Sequence, residues 1–350
     1  MRLTPVDDLK ESDILAIDVL NSDYTVLLAA DTNLTNDIIA RLKQSNVTEV
    51  YIRTEDIPGE VEILKQDVRK EVHNTLQSVI EKHNYTENSE LSKLSETADV
   101  IISNILEEDD VVEKLYDIRR RSADIYEHCI SVCSIATLIA LKRNLSEEQV
   151  HDIGVACLLH EIGLKDLQID YENVEIFDMK EEDAEKYKRH PIIGYQIVKD
   201  EDWLSESAKK MILYHHERID GSGYPNRVTG VDTSVACKII QTCDVFDEFI
   251  CGIGCERVKV YEALEYLKIY KGTKFEREIV DDFLALIAVY PVGSYVRTSD
   301  GEVAVVLRQN REFPDRPVIR VIKNKDGNPV KNIIIKDLLK YTTLFIEDIS

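Results

Sequence analysis

The stretch Tyr214–Pro225, YHHERIDGSGYP, sets two adjacent histidines ahead of a loop with two glycines and a proline. The residues before it are helical in pattern. Ala208, Met211, Ile212 and His215 recur at three and four residues and share one face, with His216 at its edge. A single imidazole on an apolar face is ordinarily a hydrogen-bonded core residue. Two side by side call for a common partner, and the other inward polar residues of the chain decide what it is.

Three further segments supply such residues. In ADIYEHCISVCSIATLIA, Asp124, His128, Val132, Ile135 and Ile139 follow one stripe, and Asp124 and His128 are four apart, so their side chains can converge. In SEEQVHDIGVACLLHEIGL, Ser146 and Gln149 fit a capping box that starts a helix. Val150, Ile153, Cys157, His160 and Leu164 then form the buried stripe, with Glu161 beside it. In VACKIIQTCDVFDEF, Asp244 lies on the edge of the apolar stripe of Ala236, Ile239, Ile240 and Cys243. His190 stands immediately before Pro191, where a helix ends or restarts.

Burying so many titratable groups without partners costs several kcal/mol in rough terms, and a shared cation is the economical solution. Imidazole and carboxylate ligands without thiolate suit Fe, Mn or catalytic Zn. His73, His83 and His151 read instead as surface residues. The HDIG at 151–154 lies on the polar side of its helix, so the chemically placed pair is His160–Glu161.

The 350 residues are 44% apolar and 31% charged, a globular composition long enough for two or three domains. No apolar run of about 18 residues suggests a spanning helix, and the N-terminus lacks the pattern of a signal peptide. The seven cysteines are scattered without a CxxC pair and read as reduced thiols of a cytoplasmic protein. A net charge of -23 opposes binding to DNA, RNA or anionic lipid. A phosphate ester would need local cations to approach such a surface.

Along the chain, residues 1–58 read as a small α/β module, with Thr35 as the N-cap of its helix and a breaker at Ile57–Glu60. Residues 59–115 form a charged helical linker, either packed on neighbours or able to dimerise or engage a signalling partner. Residues 116–290 are a helical core with six of the eight histidines. Residues 291–350 alternate and turn at SDGE and KDGNP, as in a small antiparallel β-domain. The expected class is multidomain and mainly α.

LLHEIGL, HHERIDGSGYP and CDVFDEF, in that order within about residues 116–290, resemble the blocks of the HD-GYP family, a branch of the HD phosphohydrolases. The resemblance implies a helical fold, two or three divalent metal ions, commonly iron or manganese, and hydrolysis of cyclic di-GMP to the linear dinucleotide pGpG and in some members to GMP. By position, the implied metal ligands are His128, His160, Glu161, His190, His215, His216 and Asp244, with Asp124 matching a residue that supports a third ion. Glu161 and Asp244 would hold or orient the nucleophile. Gly221 and Gly223 would let the loop turn close to a ligand, and Gly223, Tyr224 and Pro225 would shape the substrate wall.

Three departures from the family pattern stand out. Glu161 replaces the usual aspartate. Leu164 replaces the lysine that usually follows, with Lys165 one place later. Arg257 and Lys259 stand out of register with the family's phosphate-binding arginines, yet are the nearest candidates for that task. Besides the phosphodiesterase, the sequence therefore admits a catalytically weak cyclic-dinucleotide receptor or an HD phosphohydrolase for another nucleotide.

Overall fold

In the computed structural model, residues 2–15, 19–20, 26–29, 32–45, 47, 49–53, 63–83, 90–108, 111, 123–310 and 313–349 are described. The N-terminal segment contributes β1 (Arg2–Pro5), β2 (Val19–Leu20), β3 (Val26–Leu28), α1 (Asn36–Gln44) and β4 (Glu49–Ile52). Thr35 starts α1, its hydroxyl accepting the N–H of Ile38, and Ile39 and Leu42 turn inward onto Leu15, Leu34, Val50 and Ile52. β1 pairs with β4 and β2 with β3, both antiparallel. The breaker expected at Ile57–Glu60 and the boundary expected at 115–116 fall outside the described residues.

The helical unit comprises the described residues of Ile63–Lys114 and Ala123–Leu286. Its helices are α2 (Gln66–Lys82), α3 (Lys93–Leu106), α4 (Ile125–Lys142), α5 (Glu147–Leu159), α6 (Glu181–Tyr187), α7 (His190–Val198), α8 (Glu206–Tyr214), α9 (Val235–Cys251), α10 (Val260–Tyr270) and α11 (Arg277–Leu284). α4 is the central element and packs on α5 and α9, while α5 also meets α3 and α8. By length and composition alone α4 could cross a membrane, but 78% of it is buried inside the protein. It is apolar all round because it is covered all round.

Ser146 and Gln149 make the expected capping box at the start of α5. The helix then stops earlier than its stripe implied. α5 ends at Leu159, His160 caps it, and Ile162–Leu164 tighten into a 3-10 turn. α5 is buried on every side from Ile153 onward, so a one-sided stripe understates its burial. The tight turn also redirects Lys165, whose ammonium donates to the His83 carbonyl. His73 and His83 are buried, contrary to the surface expectation; His73 lies against Asp124 at 3.3 Å.

In the C-terminal segment β5 (Tyr295–Thr298), β6 (Val303–Arg308), β7 (Val318–Lys323), β8 (Pro329–Asp337) and β9 (Ile346–Ile349) form an antiparallel sheet in the order β8-β7-β6-β5-β9. Val296, Ala304, Val306 and Ile319 alternate onto one face and pack with Leu338 and Leu344. The architecture is thus a mainly helical core with a small antiparallel strand domain after it.

The 3-10 turn after His160–Glu161 lies backbone against backbone on α7. A Cβ at Gly163 would come 2.1 Å from the His190 carbonyl oxygen and 2.8 Å from the Gly194 nitrogen. Gly163→Ala is therefore expected to destabilise the protein by about 1–3 kcal/mol through overpacking. In Gly154→Ala the new methyl meets the Ala98 Cβ at 3.2 Å. That mild crowding is set against a helix-propensity gain of about 0.5–1 kcal/mol, giving a near-neutral change. Chemical denaturation of both variants checks the contrast.

Candidate metal centre

His128 on α4, His160 and Glu161 after α5, His190 opening α7, His215 and His216 after α8, and Asp244 on α9 are all buried. Their donor atoms fall into two groups. In the first, His128 Nε2 lies 3.1 Å from His160 Nε2 and 3.2 Å from Asp244 Oδ1, and His160 Nε2 lies 3.3 Å from the same oxygen. Glu161 Oε1 stands 3.8 Å from His128 Nε2. In the second, His190 Nε2 is 2.9 Å from Glu161 Oε2, 3.0 Å from His215 Nε2 and 3.1 Å from His216 Nε2. Glu161 belongs to both groups, one oxygen toward each.

The other ring nitrogens explain why the rings point this way. His160 Nδ1 donates to the Cys157 carbonyl, His190 Nδ1 to Tyr187 and His215 Nδ1 to Ile212, each at 2.7 Å and each three residues back. Those carbonyls lie in the last turns of α5, α6 and α8, where the helix leaves them unpaired. Each hydrogen bond satisfies a helix end and fixes the tautomer, leaving a bare lone pair on Nε2. His128 is held differently. Its Nδ1 lies 2.9 Å from Asp247 Oδ2, which also accepts from the Cys251 thiol at 3.2 Å.

With their protons committed to carbonyls, His190 and His215 bring lone pair against lone pair at 3.0 Å. Both oxygens of Glu161 and Oδ2 of Asp244 are buried without a hydrogen-bond partner. A divalent cation in each group resolves both conflicts, and the donor set fits one. Electrostatics keeps His215, His216, Glu161 and Asp244 in ligating form, and raises His128 and His160, so that a cation at those two competes with a proton. Burial pushes His215 down to about 3, helped by His160, and burial with His215 holds His216 well below its usual range. Burial opposes ionisation of Glu161 and Asp244, but His190 and His216 respectively outweigh it, leaving both carboxylates below the usual range. For His128 burial acts downward, and the Asp244 and Asp247 carboxylates overturn it. Glu248 is pushed up by burial and then by Asp244.

The loop after the paired histidines is built around them. A Cβ at Gly223 would lie 2.4 Å from the His216 carbonyl oxygen and 2.5 Å from the Arg218 nitrogen, so only glycine permits this approach. Gly221 adopts φ of 76°, the left-handed region that favours glycine. The loop thereby stacks Tyr224 on His216, with ring centroids 4.6 Å apart. Buried Glu217 accepts the N–H groups of Asn226 and Val228 and ties the loop back.

Not every expected residue joins this cluster. Asp124 is the N-cap of α4, its carboxylate accepting the Glu127 N–H at 2.8 Å and facing His73. A capping residue lies outside helical geometry, and Asp124 is in none of the donor groups that contain His128. Arg257 donates from Nε to the Cys251 carbonyl, and Lys259 lies over the Tyr261 ring. His151, in the HDIG segment, bonds Asp99 at 2.8 Å and Ser95 at 3.1 Å. Sequence reasoning missed Asp247, Glu248 and Glu217. The first two were legible as acids three and four residues after Asp244 on one helix face.

His160→Ala is expected to lose bound transition metal, whereas His151→Ala keeps it. Asp247→Ala, which deprives His128 of its orienting acceptor, should lower metal affinity about 10–100-fold. Metal analysis and titration of the stripped proteins check all three; equal losses at His151 and His160 would reverse the assignment.

Comparison with known proteins agrees with this geometry. Residues 80–279 match the HD domain family, and residues 295–350 match the KOW domain associated with HD domain. The cyclic di-GMP phosphodiesterase PA4108 of Pseudomonas aeruginosa is 28% identical over 207 residues, 58% of this chain and 50% of that protein. The cyclic di-GMP phosphodiesterase response regulator RpfG of Xanthomonas campestris pv. campestris is 32% identical over 152 residues, 43% of this chain and 40% of that protein. The chain thus spans half or less of the length of these relatives. Among solved structures, Bd1817, an HDG"Y"P protein from Bdellovibrio bacteriovorus, shares the fold with a TM-score of 0.50 at 18% identity, over 80% of this chain and 97% of that one. With HHERIDGSGYP wrapped around the paired imidazoles, the chain belongs to the HD domain family.

Proposed function

We propose that this chain is a metal-dependent phosphodiesterase that hydrolyses cyclic di-GMP, with pGpG as first product and GMP as a further one. The observation that supports it most is the pair of buried donor groups sharing Glu161. Relatives over the same region are cyclic di-GMP phosphodiesterases by name. His128, His160 and Asp244 would hold one divalent cation, His190, His215 and His216 a second, and Glu161 both. Iron or manganese fits these nitrogen and oxygen donors. Asp124 stays a candidate for supporting a third ion only from outside the cluster.

Such cations, when bound, supply Lewis acidity toward a phosphoryl oxygen and make water more acidic. The protein's own part is positioning. Asp244 and Glu161 present carboxylate oxygens that can hold or orient the attacking water. Gly223, Tyr224 and Pro225 form the wall on the His216 side. Arg257 and Lys259 are the proposed donors to the second phosphate. The ligand acts as a cytoplasmic signal in this reading, residues 1–58 and 291–350 are accessory modules, and a second copy or a signalling protein is the proposed partner.

Leu164 at the place of the family's lysine, with Lys165 turned to the His83 carbonyl, favours a second reading: a receptor, or an enzyme for another nucleotide. Protein purified without oxygen, with metals counted, separates them by turnover of cyclic di-GMP against other cyclic dinucleotides. Hydrolysis of cyclic di-GMP that vanishes in His160→Ala and Asp244→Asn is expected; tight binding without hydrolysis identifies a receptor. Replacing Arg257 and Lys259 together with alanine should weaken the substrate roughly five- to hundredfold, the value of one exposed to one well-formed charged contact. Unchanged affinity in a metal-loaded double variant moves the phosphate donor to Lys165 or Arg218.

A further inference from the structure

The sheet of residues 291–350 ends on β8, and among the described residues no strand pairs with its outer edge. β8 carries three successive isoleucines, all of them exposed: Ile333 at 68%, Ile334 at 40% and Ile335 at 54%. The register with β7 sets Ile334 opposite Val321 and Ile335 opposite Arg320. Ile334 therefore lies at the margin of the face that buries Ile319, and Ile333 and Ile335 lie on the other face. An apolar edge strand of nine residues is an open template for another strand.

Charged side chains are the usual guard of such an edge. Here those at the C-terminal end of the strand are turned to their own sheet. Lys336 pairs with Glu302, and Asp337 accepts from the Asn310 amide and from the Leu339 N–H. The segment also differs in charge from the rest of the chain. Residues 291–350 hold ten Lys and Arg against eight Asp and Glu, whereas the whole chain holds 43 against 66. Two such acidic chains repel one another, and this segment is where they can meet at least electrostatic cost.

We propose that β8 pairs antiparallel with β8 of a second copy about a two-fold axis at Ile334, joining the two five-stranded sheets edge to edge. This rests on the reading of a second copy as partner and is independent of what the metal centre does. A two-fold axis normal to the sheet keeps each face on its own side, so only residues of the same face stand opposite one another. Among the registers that obey this, centring on Ile334 is the one that sets all three isoleucines against isoleucines. Ile334 meets Ile334 of the other copy, and Ile333 meets Ile335 twice. The pairing covers six isoleucines and satisfies the outer backbone groups of both strands.

The test follows the mass of the full chain by analytical ultracentrifugation over a range of protein concentrations. The parent is expected to convert reversibly from monomer to dimer. Amide hydrogen exchange over residues 332–336 should slow as it does, while exchange in β9, at the opposite edge, stays as it was. Ile333→Lys with Ile335→Lys sets lysine opposite lysine twice, and Ile333→Glu with Ile335→Glu does the same with glutamate. Each double variant is expected to weaken the dimer about tenfold or more. An equal mixture of the two should regain it, because each lysine then faces a glutamate. A parent that stays monomeric overturns the proposal together with the second copy as partner. A dimer of unchanged strength in both folded variants, or one that forms without slowing exchange in β8, overturns the β8 interface and leaves the second copy as partner. Weakening in both variants without recovery in the mixture overturns the register about Ile334. The exchange comparison needs no substitution, so it decides the matter even where a variant fails to fold.

Discussion

Three imidazole N–H groups capping three helix ends are the contacts on which the centre depends. Cys157, Tyr187 and Ile212 present carbonyls in the last turns of α5, α6 and α8, and His160, His190 and His215 each reach back three residues to accept the role of cap. A helix ending without such a partner leaves buried acceptors unsatisfied. Local folding and ligand orientation are therefore one event. The same proton that completes the helix commits the ring to a single tautomer and turns its lone pair inward. Close backbone packing does the rest: the turn at Gly163 against α7 brings Glu161 to His190, and the crossing at Gly223 brings Tyr224 onto His216.

Much of this arrangement could be read in the sequence. Helical spacing pointed His128, His160, His215 and Asp244 inward, and the structure gathers them with Glu161, His190 and His216 into one place. Spacing failed where the backbone leaves the helix. Asp124 caps α4 and faces His73 rather than joining the donor groups, and the 3-10 turn after Leu159 takes Lys165 away from the position an unbroken helix would give it. Spacing was also uninformative where burial is complete. His73 read as a surface residue because nothing in its own helix reports that Asp124 and Tyr126, at the start of α4, cover it. Asp247 and Glu248 were readable beside Asp244, but an acid near the end of a helix is usually solvated, and only the packed structure shows these two are not.

The acidic character of the chain acquires a local meaning in this light. Glu161, Asp244, Asp247 and Glu248 are drawn together in the interior rather than spread over the surface. Interior carboxylates at this density are tolerable only when each has a counter-charge or a donor. Asp247 has donors, Glu161 and Asp244 have histidines, and Glu161 Oε1 and Oε2 and Asp244 Oδ2 are buried without a hydrogen-bond partner. The protein has concentrated negative potential where a positively charged cofactor has most to gain.

The helix ends that cap the histidines have an electrical consequence as well. The carboxyl end of a helix carries a partial negative charge from its aligned peptide dipoles. α5, α6 and α8 all finish at the centre, and their fields add to those of the carboxylates. A site of that sign attracts cations and repels phosphodiesters. Under the proposed function, electrostatics would set the order of assembly: a metal would enter first and reverse the local potential, and only the loaded protein would present an attractive face to an anionic nucleotide. Nucleotide recognition under that proposal would report metal supply before it reported nucleotide concentration.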